Sequence, residues 1–362
     1  MSRWASAVVI FSLLGSPGLR AEEPFVPASP GYQLQFPRDH GEHPRYETEW
    51  WYLTGHLVSG AGDIFTRSTD YGFQLTFFRR GVRPENGAAE QVYLAHAALT
   101  DVRTGQFLAA RRIAPAGLGL AGAAPSWFRT WNLGWLMERI GDRLVVMSDL
   151  PAEGEGSVEL RLASSDLPVP LLHGEEGLSR KGPCSTCTSM YYSLPGISFT
   201  GEVIRDGRLE PVRGIGWLDH EFMTNALLPG QEGWDWFSLL FPDGTALMLF
   251  RIRATNPEAA WASGTIRRNG VTTLLTGSDF TIEPRQFWVS PKTGARYPAA
   301  WSITVPRFDV RTMVATIQAD QELPGEGKDD ITYYEGAIRG PAGGPLGYVE
   351  LTGYDKPLGG RL

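Results

Sequence analysis

Short apolar runs rich in β-branched and aromatic residues recur along this chain, each closed off by Gly, Pro, Asp or Asn. Runs of this kind predict strands. They cover residues 73–78, 91–100, 144–149, 157–163, 197–204, 212–218, 236–241, 245–253, 262–268, 279–283, 301–305, 312–318, 332–338 and 347–353. Asp206-Gly207, Asp243-Gly244 and Asn269-Gly270 read as hairpin turns. Helical periodicity is scarce. Its candidate is Ser126–Trp135, where Trp127, Trp131 and Trp135 recur four apart and read as a loop or short helix over a barrel mouth. Many short strands at turn-limited spacing predict an all-β sandwich or barrel.

One strand differs from the rest. Glu49-Trp50-Trp51-Tyr52-Leu53-Thr54-Gly55-His56-Leu57 alternates, yet carries large rings on both of its faces. A strand with one watery face has no need of that. A strand with a core on one side and a cavity on the other does. Gly233-Trp234-Asp235-Trp236-Phe237 repeats the acid-plus-aromatic pattern far downstream. Two copies predict two similar β units in tandem. A length of 362 residues suits two domains. Leu228-Pro229-Gly230 is the expected joint, giving units at 22–228 and 229–362.

Composition narrows the partners. The net charge is −7, and Arg79-Arg80, Arg111-Arg112 and Arg267-Arg268 are isolated pairs rather than a basic stripe, so nucleic acid is not expected. The 12 tryptophans favour an apolar or amphipathic small-molecule ligand. Arg3 followed by the apolar run Trp4–Leu14 reads as a signal peptide over residues 1–21, cut between Ala21 and Glu22. No later run is long enough for a membrane helix, so the mature chain is expected in the periplasm or secreted. Cys184-Ser185-Thr186-Cys187 lacks the further ligands a zinc site needs. An oxidising compartment favours a local disulfide there, with free thiols as the alternative.

A family resemblance rests on an ordered series of motifs. Phe36-Pro37-Arg38-Asp39-His40-Gly41-Glu42-His43-Pro44 leads into the Glu49-Trp50-Trp51-Tyr52 strand. Ala95-His96-Ala97, Lys181-Gly182, Tyr191-Tyr192-Ser193 and Gly216-Trp217-Leu218-Asp219-His220-Glu221-Phe222 follow. Gly233-Trp234-Asp235-Trp236-Phe237 and Gly347-Tyr348-Val349-Glu350-Leu351-Thr352-Gly353-Tyr354 close the series. Taken together, it resembles the AttH-like "predicted secreted hydrolase" proteins related to carotenoid 1,2-hydratase. The resemblance implies two tandem lipocalin-like β-barrel domains. It also implies hydration of polyene chains or ring-forming chemistry as activities to weigh. His220 matches a histidine of the hydratase motif, whereas Phe222 stands where that motif would have an indole.

Hydrating an unactivated alkene needs a proton delivered to carbon. A carboxyl buried among apolar groups keeps such a proton near neutral pH. Asp219, Asp235 and Glu49 each sit among tryptophans, and His220 adjoins Asp219. The expected catalytic set is therefore Asp219, His220, Asp235 and Glu49, with Asp219 or Asp235 as the donor. On a strand, Asp219 and His220 face opposite sides unless a bulge re-aims one. Trp50, Trp51, Tyr52, Trp217, Trp234, Trp236 and Tyr192 are the expected ligand-binding residues. Asp39, His40 and His43 are spaced too loosely to predict a metal site, and neither metal nor cofactor is expected. There is no G-x-S-x-G elbow, P-loop, dinucleotide fingerprint or zinc-protease motif. An acid-chemistry enzyme, a ligand carrier and a scaffold with self-filled barrels all stay open. A carboxyl inside a connected cavity marks the first.

Overall fold

The computed structural model describes residues 25–83, 90–152, 156–224, 227–325 and 331–359. The expected signal peptide, residues 1–21, lies outside the described residues. The first sheet contains β1 (Thr48–Ser59), β2 (Tyr71–Val82), β3 (Glu90–Asp101), β4 (Gln106–Pro115), β5 (Ala121–Ala123), β6 (Arg129–Asn132), β7 (Trp135–Ile140), β8 (Arg143–Pro151), β9 (Ser157–Ser164), β10 (Leu171–Leu172), β11 (Leu178–Arg180), β12 (Thr188–Arg205) and β13 (Arg208–Met223). The second contains β14 (Gln231–Leu240), β15 (Ala246–Ala254), β16 (Trp261–Arg268), β17 (Val271–Thr276), β18 (Thr281–Val289), β19 (Arg296–Val305), β20 (Val310–Thr316), β21 (Glu322–Leu323), β22 (Tyr333–Arg339) and β23 (Leu346–Thr352). They form two tandem lipocalin-like antiparallel β-barrels, one nearly closed and one a half-barrel.

The two sheets share a scheme. In each, the last strand returns to the first: β1 lies between β2 and β13, and β14 lies between β15 and β23. The register repeats as well. Glu49 stands opposite Arg79 on β2, and Asp235 stands opposite Arg251 on β15. Trp50 and Trp236, one residue on in each strand, thus hold matching positions.

Side-chain alternation decides what each face does. On β1, Trp51, Leu53 and Leu57 point into a core shared with Phe73, Leu75, Phe77, Trp135 and Leu218. On β14, Phe237 and Leu239 point into a second core with Trp301, Tyr297 and Val349. Both barrel interiors are therefore packed with their own side chains. The alternate residues Tyr52, Trp217, Trp236, Met248, Phe250 and Tyr348 face outward, yet they are buried because the outer faces of the two sheets meet. Hydrogen bonds join those faces. Tyr52 donates to Glu335 at 2.5 Å, Trp236 donates to the Tyr191 hydroxyl at 2.8 Å, and His56 donates to the Gly347 carbonyl at 2.8 Å.

The segment Ser126–Trp135 is corrected by the structure: it holds β6 and the first residue of β7, which form a hairpin. Leu133 and Gly134 turn the corner at φ 47° and 95°, a backbone that sends a strand back on itself and cannot continue a helix. Trp135 is fully buried, whereas Trp127 is exposed, so spacing by four did not mark a common face. Cys184 and Cys187 form a disulfide.

Candidate functional site

Between the outer faces of the two sheets lies a cavity of about 450 Å³. One wall comes from the first sheet: Trp50 and Tyr52 of β1, Phe78 of β2, Tyr191 of β12, and Asp219 and Glu221 of β13. The facing wall comes from the second: Trp234, Trp236, Phe250, Tyr333 and Glu350. The surface is mostly apolar with rings on both walls, and the acids are few and placed at defined points.

Asp219 is the most elaborately held of these acids. Trp217 Nε1 donates to its Oδ1 at 2.6 Å, Ser193 Oγ donates to the same oxygen at 2.5 Å, and Tyr191 donates to Oδ2 at 2.5 Å. Burial pushes its pKa up to about 7, although the three donors favour the charged form. The supports continue behind it. His173 meets Ser193 Oγ at 2.6 Å and Thr265 of the second sheet at 2.9 Å. Burial, reinforced by the charge of Lys181, holds His173 well below the usual histidine range, so it acts as a neutral ring.

Glu350 faces the same space from β23. Among the described residues it accepts one hydrogen bond, from Trp234 Nε1 at 2.7 Å to Oε2. Burial pushes its pKa up to about 7, and the negative charges of Asp219 and Glu221 add to the effect. Glu335, opposite Glu350 in register, is raised further by burial and by Glu350. Glu221 is different: Lys181 Nζ lies 2.7 Å away, and Ser189 also donates to it.

Glu49 and His220 lie on the other face of the first sheet. Glu49 accepts from Arg79 Nε at 2.8 Å, from His220 Nε2 at 2.8 Å and from His43 Nδ1 at 2.7 Å. Burial alone would raise Glu49, but the bonds from the two histidines and the charges of His43 and Arg79 hold it well below the usual carboxylate range. His43 bridges onward to Asp39 at 3.3 Å. Its pKa is raised in spite of burial, because it sits between two carboxylates. With its Nε2–H given to Glu49, His220 accepts at Nδ1 from the Tyr192 hydroxyl at 2.9 Å, and that oxygen accepts from His40 Nδ1 at 2.6 Å. The ligand atoms of His43, Glu49 and His220 lie within 4.8 Å of one another, close enough to hold a metal ion. Arg79, however, already matches the Glu49 charge, and a divalent ion would add uncompensated positive charge to a buried network. The cluster is better explained as a strap that fastens the 32–46 segment to the barrel.

With this geometry in view, the comparisons are specific. The AttH-like family model matches residues 27–354. The chain belongs to the AttH-like family. A solved Nitrosomonas europaea protein proposed to be an AttH shares 34% identity, covering 92% of this chain and 100% of its own, at a TM-score of 0.79. Kievitone hydratase from Nectria haematococca shares 15% identity, covering 92% of this chain and 99% of its own, at a TM-score of 0.57, a likeness of fold. No curated protein sequence matches.

In this AttH-like protein the expected site residues fall into three places. Asp219, Trp50, Tyr52, Trp234 and Trp236 line the cavity, and Trp217 supports Asp219 from beside it. Glu49, His220, Trp51 and Tyr192 face the first barrel's interior and its strap, because each is one residue out of phase with a cavity residue. Asp235 is corrected most plainly. Expected as a candidate proton donor, it is instead paired with cations: Arg251 and Arg253 reach it at 2.7 and 3.0 Å, and Tyr354 donates to it at 3.1 Å. It belongs to the second barrel's inner face and is absent from the cavity wall. The sequence reading missed Glu350, Glu221, Lys181 and Tyr191 as wall residues. Glu350 was legible in part: it sits in a Gly-Tyr-Val-Glu-Leu-Thr-Gly strand whose parity puts Tyr348 and Glu350 on one face.

Proposed function

We propose that this protein binds a bulky, largely apolar small molecule between its two barrels and carries out acid-catalysed chemistry of the hydratase or isomerase type on it. The observation that carries the reading is Asp219: a carboxyl in a ring-lined cavity, pushed up to about 7 by burial. Such a group holds a proton and can release it near neutral pH. Glu350 across the cavity is the second proton carrier, so one acid gives a proton while the other takes one up. Faces of Trp50, Trp234 and Trp236 would stabilise positive charge developing on a protonated carbon. A non-catalytic carrier of a lipid-like molecule is the second reading, supported by the same apolar wall.

Extracting the purified protein and identifying the released molecule by mass spectrometry tests both readings. A bound molecule is expected, and Trp50→Ala with Trp236→Ala should abolish its recovery while the protein stays folded. Equal recovery from that variant would remove the cavity from consideration. Conversion of the molecule by the wild-type chain separates the enzyme from the carrier.

Export before folding belongs to this proposal, with the Cys184–Cys187 disulfide in support. N-terminal sequencing of protein from an exporting host should read Glu22 first. A chain retained in the cytoplasm with Met1 intact would sink the export reading.

A further inference from the structure

The charges around the cavity specify its ligand further, granted that the cavity is a ligand site. Asp219, Glu221 and Glu350 line it, and Glu335 stands just behind Tyr52. The basic residues of the wall are answered within the protein. Arg79 is bound to Glu49, to Gln91 and to the carbonyls of His43 and Tyr46. Arg80 reaches Glu47 at 2.8 Å, and Lys181 reaches Glu221 at 2.7 Å. His96 meets the Tyr333 hydroxyl at 2.5 Å. Among the described residues, Asp219 and Glu350 by contrast meet only neutral donors: Tyr191, Ser193 and Trp217 for the one, Trp234 for the other. A carboxylate taken out of water without a cation is costly, so a cation brought between these two acids would be stabilised there.

Lys181 shows what an ammonium group finds in this cavity. Its Nζ lies 4.6 Å from the Tyr191 ring centroid, 4.2 Å from that of Phe250 and 2.7 Å from Glu221. Two ring faces and one carboxylate hold it. The same ingredients recur beside Asp219 and Glu350, where Trp50, Trp234 and Trp236 form the wall, and among the described residues no amine is paired with either acid. We propose that the cavity selects a molecule whose bulky apolar body carries a protonated amine, held by Asp219 and Glu350 against the tryptophan faces. Burial pushes both carboxyls up, and a cation placed against them favours their charged form.

Decylammonium, decanol and decanoate share one chain and differ in head-group charge. Their binding to the mature chain at neutral pH, followed by tryptophan fluorescence and calorimetry, is the test. Decylammonium is expected to bind at least about tenfold more tightly than decanol, with decanoate weakest, as a charge-assisted bond backed by ring faces implies. Glu350→Gln and Asp219→Asn should each cut that preference to within about threefold, and Glu283→Gln, on an exposed strand position outside the cavity, should not. Circular dichroism melts establish that each variant is folded. Equal or tighter binding of decanol or decanoate, or a preference that survives in both folded variants, overturns the ammonium assignment and leaves the cavity reading standing. Failure of all three to bind overturns both.

Discussion

Asp219→Asn is expected to lower turnover of the protein's substrate by two orders of magnitude or more, about the share that a positioned general acid supplies. Asparagine keeps the shape of the side chain and an oxygen for Trp217 and Ser193, and it lacks the transferable proton. Loss of turnover with retained binding would locate the defect in the chemistry. Unchanged turnover in both Asp219→Asn and Glu350→Gln would exclude the mechanism. A pH signature comes with it. Burial raises Asp219 from its ordinary value near 3.8 to about 7, so the folded chain binds this proton more tightly than the unfolded one. Its contribution to stability is fully present below the unfolded pKa and is lost as pH rises through about 7. Wild-type stability minus that of Asp219→Asn should therefore decline from acidic toward neutral pH. A flat difference would mean that Asp219 is an ordinary carboxylate.

Arg79→Ala should be the most damaging single change to stability, on the order of 3–5 kcal/mol by denaturant unfolding. Arg79 is fully buried and holds Glu49 together with the carbonyls of His43 and Tyr46. Its removal leaves a buried carboxylate short of its cation and two carbonyls short of donors. Adding Glu49→Gln to Arg79→Met should recover much of the loss, since the stranded charge is then gone. A double variant no better than the single would mean that packing of the arginine, not its charge, is what matters. Arg251→Ala, at the equivalent register position, should cost less because Arg253 and Tyr354 still reach Asp235.

The strands were legible because alternation and turn residues are local signals, and each predicted run falls within or overlaps a strand of the structure. The repeated acid-aromatic pattern correctly pointed to tandem barrels for the same reason. Alternation also separated Asp219 from His220 before any coordinates. It could not say which phase faces a core. Glu49 and Asp235 looked like cavity acids, since rings surround them in sequence, but the rings adjoining an acid on a strand lie on the opposite face. Partners on other strands were illegible too. Nothing near Asp235 in sequence announces Arg251 and Arg253, which come from the next strand. Glu350 gains its meaning from standing opposite Trp236 and across from Asp219, a relation that only the closed fold creates.

Because both barrel interiors are filled by their own side chains, the cavity belongs to neither barrel and lies where their outer walls meet. The facing walls are themselves a third apolar cluster, so a change of cavity lining is also a change at the seam that joins the barrels, while each barrel's own core stays untouched. Cavity shape, cavity charge and the hold of one barrel on the other are therefore set by one group of side chains.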